Sequence, residues 1–235
     1  MKERDKKVQN ASSFYNEKIL NIDYEQAHFV YESIRPYFNG KSALELGPAS
    51  GYMTKYLVND FEILHLVEGS KELLSQITDY PNIFKHCSMF EDFKTDLKFE
   101  TIIMSHVLEH IEKPIEVLAQ IKNWLKDDGV FIVAVPNSKS LHRLVAVKMG
   151  LLPTEYALNE RDHSLGHYRV YDLDKLNQDL ISAGFKIIYT GGSFLKPLPN
   201  SQIEQYWSNE MVRGFYEVGK QFPGNCAEIF AVCSK

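Results

Sequence analysis

Between residues 42 and 136 the chain alternates short apolar runs with segments of helical period: "SALEL", "GYMTKYLVND", "EILHLVE", "SKELLSQITD", "NIFKHCS", "FETIIMS", "PIEVLAQIKNWLKDD" and "GVFIVAVP". Few architectures accept that order. Strands that return through helices pair in parallel and are covered on both faces, so the pattern predicts an α/β fold, a three-layer doubly wound sandwich. Pro114 suits the first turn of its helix, where the missing amide costs nothing. Asp127, Asp128 and Gly129 are expected to end that helix and turn into the following strand.

The first crossover adds a second constraint. "ALELGPASGYMTKYL" puts Gly47, Ala49 and Gly51 between a strand and a helix, where small residues let a ligand approach the main chain closely. The dinucleotide fingerprint G-x-G-x-x-G is absent, since positions 47, 49 and 52 read Gly, Ala and Tyr. A pyrophosphate grip is therefore not expected. Ligands of open α/β sheets lie outside the carboxyl ends of the strands, so the candidates are the residues that follow each strand. Glu45 closes the first. Glu68 closes the second, 21 positions after Gly47, and its carboxylate suits the two hydroxyls of a ribose. "CSMFEDF" closes the third with Met89 and Phe90, apolar groups able to sandwich a purine, beside Glu91 and Asp92.

Outside this core the pattern changes. "SKSLHRLVAVKMG" reads as helix, and "LNERDHSLGHYRVY" as an irregular polar stretch longer than the usual two to six residues of a connector. "SQIEQYWSNEMVRGFYEVGKQF" reads as one aromatic-rich helical insert, and residues 11–37 as two amphipathic helical stretches. The expected organisation is a single domain over 1–235: a helical cap at 1–39, a core at 40–136, and substrate-side insertions at 137–170 and 193–225 that act as a lid.

Charge and cysteine usage narrow the partners. A net charge of -5 with no long basic run removes the footprint of a nucleic-acid binder. No apolar run approaches the roughly 20 residues of a membrane helix. The three scattered cysteines, Cys87, Cys226 and Cys233, fit a reducing compartment better than a disulfide framework or a structural zinc site. A soluble cytoplasmic protein, monomer or homodimer, acting on a small molecule is expected.

Five segments, "LELGPASG", "LVEGS", "MFEDF", "SHVLEHIEKP" and "LKDDGVFIVAVPN", resemble in order and spacing the successive motifs of class I S-adenosylmethionine-dependent methyltransferases. "GHYRVYDLDKLNQDLISAGF" continues the likeness weakly. The resemblance implies a seven-stranded, mostly parallel sheet whose last strand is antiparallel, with S-adenosyl-L-methionine across the first two strand ends and S-adenosyl-L-homocysteine as product. Carried onto this chain, it implies that Glu45, Gly47, Ala49 and Gly51 hold the amino-acid end, and Glu68 and Gly69 the ribose. Met89 and Phe90 would then flank adenine, with Glu91 near its amino group. Ser105 and His106 would line the sulfonium, and Tyr15 would close over the cofactor carboxylate. The chain departs from the common pattern at Ala49 and Ser88.

A sulfonium methyl is already electrophilic, so the protein's task is to align an acceptor, exclude water and, for a hydroxyl, remove a proton. Histidine suits that last step near neutrality. His163 and His167 are the expected bases, with His106 as third candidate; His110 and His142 complete the set. Arg161, Tyr168, Arg169, Tyr206 and Trp207 are the expected acceptor-binding residues. His106, Glu109 and His110 fall at i, i+3 and i+4, on one face of any helical turn; a loop supporting the cofactor outweighs a metal set there, and no metal is expected. The expected reaction is O-methylation of a sugar, sugar-linked or similar polar metabolite. N-methylation of an amino sugar or other amine, quinone-type O-methylation and a noncatalytic binding module remain the alternatives.

Overall fold

A computed structural model of the protein describes residues 20–235. Its strands are β1 (Ser42–Leu46), β2 (Ile63–Glu68), β3 (Ile83–Cys87), β4 (Phe99–Ser105), β5 (Leu125–Pro136), β6 (Lys186–Ser193) and β7 (Glu228–Ser234). They form one seven-stranded sheet in the order β3-β2-β1-β4-β5-β7-β6. The pairs from β3 through to β5 are parallel, and β7 runs antiparallel to both β5 and β6. This is the mostly parallel sheet with an antiparallel last strand that the motifs imply. The antiparallel strand has a positional consequence. Glu228, the first residue of β7, pairs with Pro136 and Ser193, the last residues of β5 and β6, and so stands at the carboxyl edge of the parallel strands.

The helices are α1 (Ile22–Ile34), α2 (Thr54–Leu57), α3 (Lys71–Gln76), α4 (Pro114–Trp124), α5 (Leu141–Lys148), α6 (Glu160–Leu165), α7 (Leu173–Ser182), α8 (Asn200–Tyr206) and α9 (Asn209–Gly219). Apolar side chains alternate to opposite faces of each strand, so both faces of the sheet are covered. On one face Leu44, Leu46, Met104 and Val133 pack with Val117, Leu118 and Ile121 of α4 and Leu176 and Leu180 of α7. On the other, Ala43, Leu64, Ile103 and Ile132 pack with Val30 and Ile34 of α1 and Leu57 of α2. Each such buried aliphatic side chain contributes roughly 1.5–3 kcal/mol. A third cluster joins Ile22 and Phe29 of α1 to Ile203, Val212 and Tyr216 of α8 and α9, with the Phe29 and Tyr216 rings stacked at 4.3 Å.

Three expectations are corrected. Helix α4 stops at Trp124, and β5 begins at once, because Leu125 pairs with Phe99 before the register shifts to Thr101 and Val130. Lys126–Gly129 bulge out of the strand, and Gly129 fits there because a Cβ would lie 3.0 Å from the Phe99 carbonyl oxygen. The aromatic insert is two helices, broken where the Ser208 side chain accepts from the Met211 amide and starts α9. The polar stretch contains a helix, α6. Its start is a capping box in which Asn159 Oδ1 accepts from the Asp162 amide and Asp162 Oδ2 from the Asn159 amide, and it ends on Gly166 at φ +79°.

Candidate active site

Strand order reverses between β1 and β4, and a crevice opens there as the topology requires. It is a cavity of about 630 Å³. The β1 turn lines one side through Glu45, Gly47, Pro48, Ala49 and Tyr52, and the end of β4 lines its floor through Ser105, His106, Glu109 and His110. The far wall comes from α1, α5, α6 and the β6–α8 connection, with Asp23, Gln26, His142, Arg143, Asp162, Lys196 and Asn200, and from Glu228.

The β1 turn is tight. Gly47 has φ +69°, and a Cβ on it would stand 2.3 Å from Val107 Cγ2 and 3.4 Å from Phe90 Cζ. Ala49 holds φ +49° without being glycine, and so does His106 at φ +55°. Left-handed backbone at two cavity-lining residues is strain that the surrounding structure fixes in place. Glu45 is buried and accepts from Thr54 Oγ1 at 2.7 Å; burial raises its carboxyl to about 7, against the Thr54 bond, which lowers it. Glu68 accepts from the Ser70 amide at 2.8 Å and the Ala49 amide at 3.2 Å, locking the turn to the end of β2. Burial raises its pKa and those amides oppose the rise.

At the end of β4 the imidazoles are kept neutral. Burial lowers His106 to about 4, His110 to about 3, and His142, on α5, to about 2. Burial likewise raises Glu109 to about 7. Glu109 Oε1 lies 3.8 Å from His106 Nδ1 and 4.0 Å from His110 Nε2, outside hydrogen-bond reach. Asp162 organises the other side. Its Oδ1 faces His167 Nδ1 at 3.1 Å and its Oδ2 accepts from Arg143 at 3.0 Å. Burial acts to raise its pKa, but the His167, Asn159 and Arg143 bonds prevail and hold the carboxyl well below the usual range. Further along the wall, Lys196 donates to Asn200 Oδ1 at 2.8 Å, and Gln26 donates to Glu228 Oε1. Burial lowers Lys196 and raises Glu228 to about 8.

Of the sequence candidates, Glu45, Gly47, Ala49, Ser105, His106, Arg161 and His167 line the cavity together. Arg161 is bound through one guanidinium nitrogen to both oxygens of Asp23, each at 2.7 Å. Others lie elsewhere. His163 is exposed and does not line the cavity. Neither do Tyr168, whose amide donates to the Glu109 carbonyl, and Arg169, whose guanidinium is spent on the Ile111 and Glu112 carbonyls. Tyr206 is 71% exposed, and Trp207 packs on Phe215 with ring centres 4.5 Å apart. Glu68, Gly69, Met89, Phe90 and Glu91 gather at the adjoining ends of β2 and β3, with Met89 Sδ 2.6 Å from where a Gly69 Cβ would stand. Gly51 abuts Ile77. Tyr15 lies outside the described residues. Gln26, Lys196, Asn200 and Glu228 were not sequence candidates. The available signal was a carboxylate opening an otherwise apolar strand, "EIFAVCS".

The family of methyltransferase domains matches residues 23–190, and the chain belongs to it: a class I S-adenosylmethionine-dependent methyltransferase. No curated protein sequence matches the chain. Solved structures share the fold at low identity. A chain of the complex between the Haloferax volcanii Trm112 methyltransferase activator and a methyltransferase is 15% identical at TM-score 0.65, covering 100% of this chain and 98% of that one. The N-methyltransferase NodS of Bradyrhizobium japonicum, solved with S-adenosyl-L-homocysteine, is 11% identical at TM-score 0.63, covering 100% and 99%. A Haemonchus contortus phosphoethanolamine N-methyltransferase, solved with phosphomonomethylethanolamine and S-adenosylhomocysteine, is 15% identical at TM-score 0.61, covering 98% of this chain and 58% of that one. Among the described residues no helix is long and apolar enough to cross a membrane.

The residues present fit this cofactor. Gly47, without a Cβ and at φ +69°, presents bare main chain beside Glu45 and Ala49 on the cavity lining.

Proposed function

We propose that the chain methylates a hydroxyl of one small polar acceptor, a sugar or similar metabolite, held inside the cavity. One observation carries this reading. The cavity joins the glycine turn to a wall of Asp23, Gln26, His142, Lys196, Asn200 and Glu228, with His106 between them. Convergent polar groups of both signs in a volume of about 630 Å³ suit a small polyhydroxylated molecule.

When bound, S-adenosylmethionine supplies an electrophilic methyl group on its sulfonium. Glu45, Gly47 and Ala49 are the residues to hold its amino-acid end, and Glu68 its ribose; Met89, Phe90 and Glu91 are placed for the adenine. The protein's remaining work is alignment, water exclusion and proton removal. His106 takes the last of these. It lines the cavity floor, and burial lowers its pKa, so the ring is unprotonated at neutral pH and offers a nitrogen lone pair to the acceptor's hydroxyl. That role, expected at His163 or His167, moves because His163 lies outside the cavity, and because His106 follows β4, the strand paired with β1, beside the Gly47 turn, whereas His167 stands on the segment after α6. An amine acceptor needs less help from a base, so N-methylation is distinguished by its indifference to His106.

The test is mass spectrometry of the protein incubated with methyl-labelled S-adenosylmethionine and a polar metabolite extract, with binding of the cofactor measured by calorimetry. A labelled methyl ether is expected, formed about a hundredfold more slowly by His106→Ala at unchanged cofactor affinity. A labelled amine made at full rate by that variant would replace this reading with N-methylation. Tight cofactor binding with no labelled small molecule would replace it with a macromolecular acceptor or a noncatalytic module.

A further inference from the structure

We propose that Glu109, His110 and His167 form a site for one divalent cation of the zinc class, tying the loop after β4 to the segment after α6. The transfer just described makes no use of these three side chains. Each offers one ligand atom, and the three atoms lie within 4.8 Å of one another.

The argument begins with Glu109. Its side chain is 1% exposed, and neither carboxylate oxygen has a hydrogen-bond partner. A carboxyl group taken out of water needs a compensating partner for the hydration it has lost. The basic groups beside it stop short of bonding distance, His106 at 3.8 Å and His110 at 4.0 Å. Arg143 is committed to Asp162 and to the Glu155 and Ala157 carbonyls. A buried carboxylate without a hydrogen-bond partner, grouped with the imidazoles of His110 and His167, is a donor set of the kind that binds a divalent metal.

The surrounding bonds point the same way. Metal-ligating histidines characteristically donate their other ring N–H to a carboxylate, which fixes the tautomer and the ring plane. Asp162 provides that partner, with Oδ1 at 3.1 Å from His167 Nδ1, and is itself fixed by Arg143 and the Asn159 amide. That partner occupies Nδ1 and leaves Nε2 as the atom for an ion. The His110 and His167 rings meet edge to face at 4.6 Å, so neither needs to travel far. Two imidazoles and one carboxylate are the protein ligands of a three-coordinate zinc site with its fourth position open, where neighbouring ligand atoms sit roughly 3.4 Å apart. Atoms within 4.8 Å of one another must close by at most about 1.4 Å to reach that spacing. The bound ion would also hold the loop that carries His106.

The test uses the untagged chain, stripped with a chelator and titrated with zinc against a chromophoric competitor. One ion per chain is expected, with a rise in Tm on binding, and both effects lost in Glu109→Gln and in His167→Asn. His163→Asn, an exposed histidine outside the cavity, should still bind. Calorimetry with S-adenosylmethionine shows whether each variant is folded. No binding by the wild type, or binding that survives Glu109→Gln, overturns the site. Should the variants fail to fold, cobalt(II) added to the wild type decides. Intense visible d–d bands of a four-coordinate nitrogen and oxygen site support the proposal, and the pale spectrum of aqueous cobalt overturns it.

Discussion

Glu68 shows how one residue can be legible in role and hidden in cost. Its place at the end of β2 points to a ribose partner, and the carboxylate accepts from the Ser70 and Ala49 amides, so it shapes the turn in its own right. Glu68→Ala leaves those buried amides unpaired and removes the hydroxyl acceptor. Each such loss is worth about 1–3 kcal/mol, so cofactor affinity should fall roughly 5- to 150-fold by calorimetry. Unchanged affinity would remove Glu68 from the site. Gly47 is a sharper case. An added Cβ meets Val107 Cγ2 at 2.3 Å on a backbone of φ +69°, so Gly47→Ala combines overpacking with left-handed strain. A loss of about 2–4 kcal/mol in urea unfolding is expected, with weaker cofactor binding, and a variant of wild-type stability would contradict the geometry. Both residues were readable because motif spacing fixes which strand end they follow. Glu228 and Lys196 were not, because their entry into the cavity depends on β7 reversing direction and on a connection whose path no local period encodes.

Among the elements, α6 is the one the pattern concealed. Six residues are too few for a hydrophobic period, yet "NERDHSLG" carries the capping signals plainly: Asn159 three positions before Asp162, and Gly166 behind the last turn. A reading by period finds α4 and α7 and passes over a helix held by its ends. That helix turns Asp162 inward and His163 outward, which is why the acid reached the cavity while the neighbouring histidine did not. Asp162 joins α5, α6 and the segment beyond through Arg143, Asn159 and His167. With the Arg143 and Asp162 side chains 7% and 10% exposed, removing the acid strands a buried guanidinium, at a cost of about 3–5 kcal/mol. Asp162→Ala should therefore lower the urea midpoint strongly. Exposed Asp127, paired with Lys235, provides the contrast: Asp127→Ala should leave the urea midpoint essentially unchanged, because water screens that pair. Equal effects would show that Asp162 does not join these elements.

At the scale of the molecule, the sheet and its crossovers were legible from residues 42–136 because β1, β2, β4 and β5 are largely buried and read as apolar runs, whereas the cavity wall is assembled from elements far apart in sequence. Burying so many titratable groups in that wall ties stability to pH. His142 has its pKa lowered by burial to about 2, against an ordinary 6.5. Between those values the unfolded chain takes up a proton that the folded chain refuses, so acidification below pH 6.5 favours unfolding. Glu45 acts oppositely. Raised by burial to about 7 from 4.5, it keeps a proton in the folded state that the unfolded chain has released, so its contribution is present below pH 4.5 and is lost as pH rises to 7. Between pH 4.5 and 6.5 the two nearly cancel in the wild type, and substitution is needed to separate them. His142→Gln should become more stable relative to the wild type as pH falls across that window, by up to about 1.4 kcal/mol per pH unit. Glu45→Gln, a fixed mimic of the protonated acid, should gain on the wild type as pH rises from 4.5 to 7, with the same limiting slope. Urea midpoints at four pH values measure both. Parallel curves for wild type and His142→Gln would mean that the folded protein accepts a proton at His142 as readily as the open chain does, and that the wall is wetter than its packing indicates.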